Sequence, residues 1–166
     1  YAKVDQLDQA VAAYEKALSG SDSASSLKVI EQLANVRAKI ATAKLRGKEG
    51  KERENVKREV LRGLKAAVRQ IKGLKTAIVK SGLKEADTDT VERHGLVASA
   101  LKRIGAAESG AKRVKALVDA AEAYRMAYAI ALKPGSKESA YWPGLNVLLL
   151  EALANLNRPP GKRQAL

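Results

Sequence analysis

Apolar residues recur every three or four positions along almost the whole chain, and this spacing constrains the fold more than any other feature. It is the period of an α-helix with one buried side, whereas a half-buried strand alternates apolar and polar residues. We therefore predict an all-α protein without strands. The pattern breaks at turns rich in Gly, Ser, Asp or Pro, which leaves six predicted helices at residues 2–18, 23–46, 52–81, 90–107, 111–132 and 138–157.

The side chains available for the core are small. The 166 residues include no Phe, aromatic residues make up 4% and hydrophobic residues 46%. Ala, Leu and Val must therefore fill the interior, and small side chains let neighbouring helices approach closely.

The residue inventory argues against a catalytic or metal-binding role. The chain has no Cys and His94 is its single His, which excludes disulfides, thiolate zinc sites and a Cys nucleophile. A metal at His94 would lack further nitrogen or sulfur ligands. No nucleophile elbow or phosphate-binding loop accompanies the Ser and Asp residues. We predict that the protein is not an enzyme and that it has no catalytic residues, cofactor or metal.

Three further features bear on location and domain organisation. The sequence has neither a signal peptide nor an apolar run near the roughly 18 residues of a membrane span, and together with the lack of Cys this predicts a cytoplasmic protein. Because the chain opens on Tyr1 and ends at Leu166, we expect a piece of a larger protein. Residues 1–157 are predicted to form a single helical domain, and the Pro-, Gly- and Lys/Arg-rich residues 158–166 an exit linker.

Residues 10–18 and 120–127 share the spacing Ala-x-x-x-Tyr-x-x-Ala. It resembles the second helix of a tetratricopeptide repeat, and residues 96–105 are similar to a first helix. Residues 127–146 are similar to the TRAF-binding helical-repeat domain of the apoptosis-signal-regulating kinases and to related bacterial signalling and defence proteins. The resemblance implies antiparallel hairpins stacked as an α-solenoid. A helical bundle is the alternative, because the strict 34-residue period is absent.

The resemblance also implies a function and an orientation. The first, third and fifth helices would be second helices on the outer side, and the others would line an inner groove that binds peptides or partner domains. The implied function is a non-catalytic protein–protein interaction scaffold within a larger signalling or defence protein. Arg93 and Asn146 lie on apolar sides of groove helices and are our candidate partner-binding residues. The structural interpretation of Arg93 is a salt bridge with Asp89 or Glu92. That of Asn146 is a hydrogen bond to a neighbouring turn.

The net charge of +13 is concentrated in one segment. Residues 44–84 hold fourteen basic and four acidic side chains, a net +10. Six of the cations share one side of the third predicted helix, opposite its apolar side, and Lys51 lies in line just before them: Arg58, Arg62, Lys65, Arg69, Lys72 and Lys80. They are candidates for binding an anionic partner, which is an acidic protein, lipid headgroups or, as an alternative function for residues 51–80, nucleic acid. No aromatic residue is interleaved to stack on bases, and a solvated surface is the simplest interpretation.

Trp142 begins an apolar series on the sixth helix that continues through Leu145 and Leu149. We expect this side to face the fifth helix, where Tyr124 and Tyr128 lie. The sequence thus predicts that Trp142 is a core anchor. The alternative is an exposed indole that contacts a ligand at the mouth of the groove.

Overall fold

The computed structural model describes residues 2–18, 23–80, 90–136 and 138–163, which form six α-helices and a short 3₁₀ helix and contain no strand. The all-α prediction is confirmed, and the predicted helices match those observed closely. They are α1 (Ala2–Leu18), α2 (Ser23–Ala43), α3 (Gly50–Lys80), α4 (Val91–Ala107), α5 (Gly110–Ala131) and α6 (Tyr141–Leu156), followed by the 3₁₀ helix Pro160–Lys162.

The helix ends follow local residue chemistry. Helix α2 stops short of the predicted residue 46 because residues 44–47 form a turn that ends on Gly47, whose φ is 69°. Gly50 opens α3 with a φ of 52°, another left-handed conformation that favours glycine. At the start of α4, the Thr90 hydroxyl accepts a hydrogen bond from the Arg93 backbone N–H at 3.1 Å. This is an N-cap that satisfies one of the unpaired first-turn donors.

Consecutive helices pack against each other, and α2 also contacts α4 directly. Arg93 of α4 pairs with Glu31 of α2, and Gln32 of α2 donates to Glu92 at 2.7 Å. Helices α4 and α6 are joined by a hydrogen bond from Lys102. We call the side formed by α2, α4 and α6 the inner face. The helices therefore form the stacked hairpins of a tetratricopeptide-like array.

Two clusters of buried side chains form the core. The first joins α2, α3 and α4 around Val60, Leu64 and Ile71, which are at most 1% exposed. The second joins α4, α5 and α6 around Tyr124 and Leu150, which are fully buried. Alanines fill much of the remaining space, as the composition predicts: Ala34, Ala38, Ala98, Ala120, Ala121 and Ala154 are all at most 2% exposed.

Glycine allows α4 to approach α5 closely. A Cβ atom at Gly105 would lie 3.0 Å from Leu117 Cδ2, so a larger residue would require the Leu117 side chain to shift. None of the described helices is long and apolar enough to cross a membrane. The domain boundary between residues 157 and 158 stays a prediction.

The first core cluster generates a stability prediction. Leu64→Ala should lower the free energy of unfolding by about 2–5 kcal/mol, because it leaves a cavity under the middle of α3. Lys65→Ala, at the exposed neighbouring position, is the matched control and should change it by less than about 0.5 kcal/mol. Urea denaturation of both variants measures the difference, and equal values for the two would contradict the assigned orientation of α3.

Candidate partner-binding site

Arg93 is buried within the fold. Its side chain enters between α2 and α4, where Nε donates to Glu31 Oε1 at 2.5 Å, and the two residues are 8% and 4% exposed. The sequence predicted a salt bridge to Asp89 or Glu92. The structure shows Glu31, 62 residues away along the chain, as a partner of Arg93, and Asp89 lies outside the described residues. A contact between Arg93 and a binding partner stays a prediction.

Asn146 is also held by the fold. Its amide Nδ2 donates to the Trp142 carbonyl one turn earlier at 3.0 Å, and its Oδ1 accepts a hydrogen bond from Lys102 Nζ of α4 at 3.2 Å. Both ends of the side-chain amide are therefore occupied, and Asn146 is 7% exposed. This residue joins α4 to α6 and positions Lys102. Its predicted contact with a partner is untested.

Three side chains meet around the hydroxyl of Tyr124. Tyr124 extends from α5 toward Ser99 and Arg103 of α4, and burial raises the pKa of its phenol to about 12, an effect that Ser99 and Arg103 partly oppose. Arg103 Nη1 donates to Ser99 Oγ at 2.7 Å. The buried Tyr124 hydroxyl itself makes no hydrogen bond of good geometry. This corner of the inner face therefore has unused hydrogen-bonding capacity.

Lys102 and Arg103 are partly buried cations without a carboxylate partner in the described part of the chain. Burial lowers the pKa of both side chains, and the charge of Arg103 lowers that of Lys102 further. Lys102 Nζ also lies 5.9 Å from the centre of the Tyr124 ring, within the range of a cation–π interaction. Together with Ser99, Tyr124 and Asn146 they form what we call the polar cluster. An incoming carboxylate would neutralise one of its two positive charges.

Next to the polar cluster, α6 presents an apolar surface that no described helix covers. Six large side chains of α6 are between 50% and 77% exposed: Tyr141, Trp142, Leu145, Leu148, Leu149 and Leu156. A groove of about 650 Å³ continues this surface onto α5 at Tyr128. The only charged residue of α6 is Glu151, which pairs with Arg125 of α5. We call this the apolar surface of α6.

The prediction that Trp142 is a core anchor is wrong. Its side chain is 53% exposed, although it meets the Tyr124 ring at a centroid distance of 5.2 Å and an interplanar angle of 76°. The residues of α6 that face the core are Pro143, Asn146, Leu150 and Ala154. The helix is thus rotated by about one residue, or about 100°, from the orientation expected from sequence.

Sequence reasoning also missed Lys102, Arg103 and the apolar surface of α6. One signal was present: α6 is apolar on all sides, and such a helix is normally buried on all sides. A helix of this kind at a protein surface indicates a missing contact. The two adjacent cations of α4 had no comparable signal, because their partial burial depends on α5 and α6.

The seven predicted cations of α3 are all exposed. They lie on the outer side, away from both the polar cluster and α6.

Two clefts of about 570 and 430 Å³ open between α3 and α5, with α4 at their base. They are lined by cations and carboxylates together, among them Lys72, Asp119 and Glu122. Within the described ranges no three His, Asp or Glu side chains group as a metal site would need.

Comparison with known proteins is consistent with this architecture. The model of a family described as Tetratricopeptide Repeats-Sensor matches residues 6–151. The tetratricopeptide-like resemblance is therefore confirmed over most of the chain. No curated protein and no solved structure gives a significant match.

A buried ion pair can be tested by removing one partner and then both. Arg93→Met should lower the free energy of unfolding by about 3–5 kcal/mol, because Glu31 would stay buried without its partner. The double variant Glu31→Leu/Arg93→Met should recover most of that loss. Thermal and urea denaturation measure both values. A single variant as stable as the wild type would mean that the pair does not support the fold, and would favour a ligand-binding role for Arg93.

The unbonded hydroxyl of Tyr124 gives a second prediction. Tyr124→Phe should leave the free energy of unfolding at pH 7 within about 0.5 kcal/mol of the wild type, because no good hydrogen bond is lost. At high pH the two proteins should differ. The folded pKa of about 12 lies above the ordinary value near 10, so the wild type loses stability as the pH rises from about 10 through 12. The variant lacks this loss, and identical pH profiles would contradict the burial of the phenol.

Proposed function

Because the chain belongs to the tetratricopeptide repeats-sensor family, we propose that it is a non-catalytic module that binds an amphipathic, acidic segment of a partner protein. Repeats of the tetratricopeptide type imply protein partners and are generally non-catalytic. The proposed site combines the apolar surface of α6 with the polar cluster. Its occupant would be a helix, which buries an apolar side in a groove through residues spaced three and four apart.

The exposed apolar surface of α6 carries this proposal. Monomeric proteins rarely expose contiguous apolar patches of more than a few hundred Å², and here Tyr141, Leu145 and Leu148 are each at least half exposed on adjacent turns. Aromatic side chains at the centre of such a patch are typical of binding hot spots. Trp142 and Tyr141 provide aromatic anchors at the first turn of α6.

The polar cluster adds selectivity for an acidic segment. Trp142 packs against Tyr124, so the apolar surface and the cations of α4 are neighbours. A helix lying along α6 could place an Asp or Glu near Lys102 and Arg103. Such a pair would be partly desolvated, and truncating one partner of a desolvated pair typically costs more binding energy than truncating an exposed one.

We further propose that the module belongs to a larger signalling or defence protein and works in the cytoplasm. The word "sensor" in the family's description supports a signalling role. The similarity of residues 127–146 to the TRAF-binding domain of the apoptosis-signal-regulating kinases points the same way. The absence of Cys from the chain fits a reducing compartment.

A displayed library of random helical peptides tests the proposed site even though the natural partner is unidentified. We expect the selected peptides to be amphipathic, with apolar residues at positions i, i+3, i+4 and i+7 and with at least one Asp or Glu. Leu145→Asp/Leu148→Asp should weaken binding of a selected peptide at least about tenfold, because charges on the apolar surface would have to be desolvated. Isothermal titration calorimetry measures the change.

Two matched variants complete this experiment. Lys102→Gln/Arg103→Gln should weaken the binding of acidic peptides. It should weaken the binding of the same peptides less when their Asp and Glu are changed to Asn and Gln. Arg62→Gln/Lys65→Gln on the outer side of α3 should leave binding unchanged. Selected peptides that bind equally well to all these variants would contradict the proposed site. A dimer of the chain that Leu145→Asp/Leu148→Asp abolishes would assign the apolar surface to a second copy instead.

A further inference from the structure

The outer side of α3 has a surface chemistry opposite to that of α6. Its seven exposed cations, defined above, run along one side of a 31-residue helix. No large apolar side chain is exposed among the described side chains of α3, whereas residues 118–156 expose ten. The protein therefore separates an apolar surface from a cationic one on different helices.

The positive charge of this row is not neutralised by the fold. Glu59 is the only acidic residue between positions 55 and 80, and it turns away to pair with Lys44 at 2.7 Å. The contact with Lys44, and to a smaller extent the charge of Arg62, lower the pKa of Glu59. None of the seven cations forms an ion pair with a described carboxylate. The row is therefore solvent-exposed and keeps a large net positive charge.

The spacing of the cations is regular. Arg58, Arg62, Lys65, Arg69 and Lys72 alternate steps of four and three residues, so successive cations lie about 5 Å apart along the axis at 1.5 Å per residue. The whole row from Lys51 to Lys80 spans roughly 44 Å by the same rise. A surface of this form matches a partner whose negative charges also repeat along a line. A nucleic-acid duplex carries about one phosphate per 1.7 Å of its axis.

The make-up of the row distinguishes a nucleic-acid partner from an acidic protein. Protein–protein interfaces have an apolar, often aromatic core and are depleted in Lys, and this row has neither feature. Interfaces with nucleic acid are more polar and much more positive. Without an aromatic side chain the row cannot stack on the bases of a single strand. We infer that the outer side of α3 binds the sugar–phosphate backbone of a nucleic-acid duplex, without reading its sequence.

This inference does not depend on the proposed partner-binding site, because the two surfaces share no residue. The row lies opposite the buried side of α3, which is formed by Val60, Leu64 and Ile71. A duplex bound there would leave α6 free. The protein could then hold a protein partner and a nucleic acid together.

The test is the salt dependence of binding to a labelled DNA duplex of about 20 base pairs, measured by fluorescence anisotropy. With about five phosphates contacted, the logarithm of the association constant should fall with the logarithm of salt concentration with a slope of roughly −4 to −5. Arg62→Gln/Lys65→Gln/Arg69→Gln should bring this slope about 3 closer to zero and weaken binding at low salt at least about tenfold. Lys65→Gln alone should change the slope by about 1.

The matched control removes the same charge elsewhere. Lys39, Lys133 and Lys162 are exposed and lie outside α3, and their triple replacement by Gln should change the slope by less than about 1. Unchanged circular dichroism of each variant shows that the fold is intact. The inference would be overturned if both triple variants lost the same affinity for the duplex, or if the wild type did not bind the duplex at low salt. So would a polyglutamate peptide that competes as well as unlabelled duplex at equal charge, since that result would assign the row to an acidic protein.

Discussion

Close contact between α4 and α5, made possible by alanine and glycine, is the constraint on which the rest of the structure depends. Ala98, Ala120 and Ala121 are at most 2% exposed, and a Cβ at Gly105 would lie only 3.0 Å from Leu117 Cδ2. Because the backbones lie this close, one aromatic ring is enough to fill the space that remains toward α6. Tyr124 takes that space, and its length carries the hydroxyl to Ser99 and Arg103. The small residues of the core thus decide where the polar cluster forms.

Most of the large side chains of α6 do not contribute to this core. With no Phe available, the interior relies on Ala, Leu, Val and Ile, and most of the aromatic and leucine bulk of α6 stays outside. Helix α3 shows the reverse distribution, with its apolar residues buried and its cations exposed. The same packing principle therefore produces two surfaces that differ in charge, in polarity and in the kind of molecule that each can bind.

The sequence predicted helix positions well because helical periodicity and turn residues are local. It also predicted the orientation of α3, where apolar and basic residues occupy opposite sides. It failed for α6, because a helix that is apolar on all sides offers no contrast from which to choose the buried side. It also could not identify Glu31 as the partner of Arg93, because that contact depends on how α2 and α4 stack. The structure shows the predicted site residues Arg93 and Asn146 bonded within the fold, and their role toward a partner stays untested.

The ion pair between Arg93 and Glu31 also explains how α2 and α4, which pack through small side chains, keep their register. The buried side of α2 includes small side chains such as those of Ala34 and Ala38. Small side chains interlock little, so they oppose sliding of one helix along another only weakly. A buried ion pair is directional, and displacing it by one residue would leave two charges unpaired in the interior. Gln32 and Lys28 of α2 add further bonds to Glu92 beside it. These polar contacts fix α2 against α4, as Lys102 and Asn146 fix α4 against α6. The separation of the three inner helices, and with it the shape of the inner face, therefore depends on a few polar bonds set among small apolar residues.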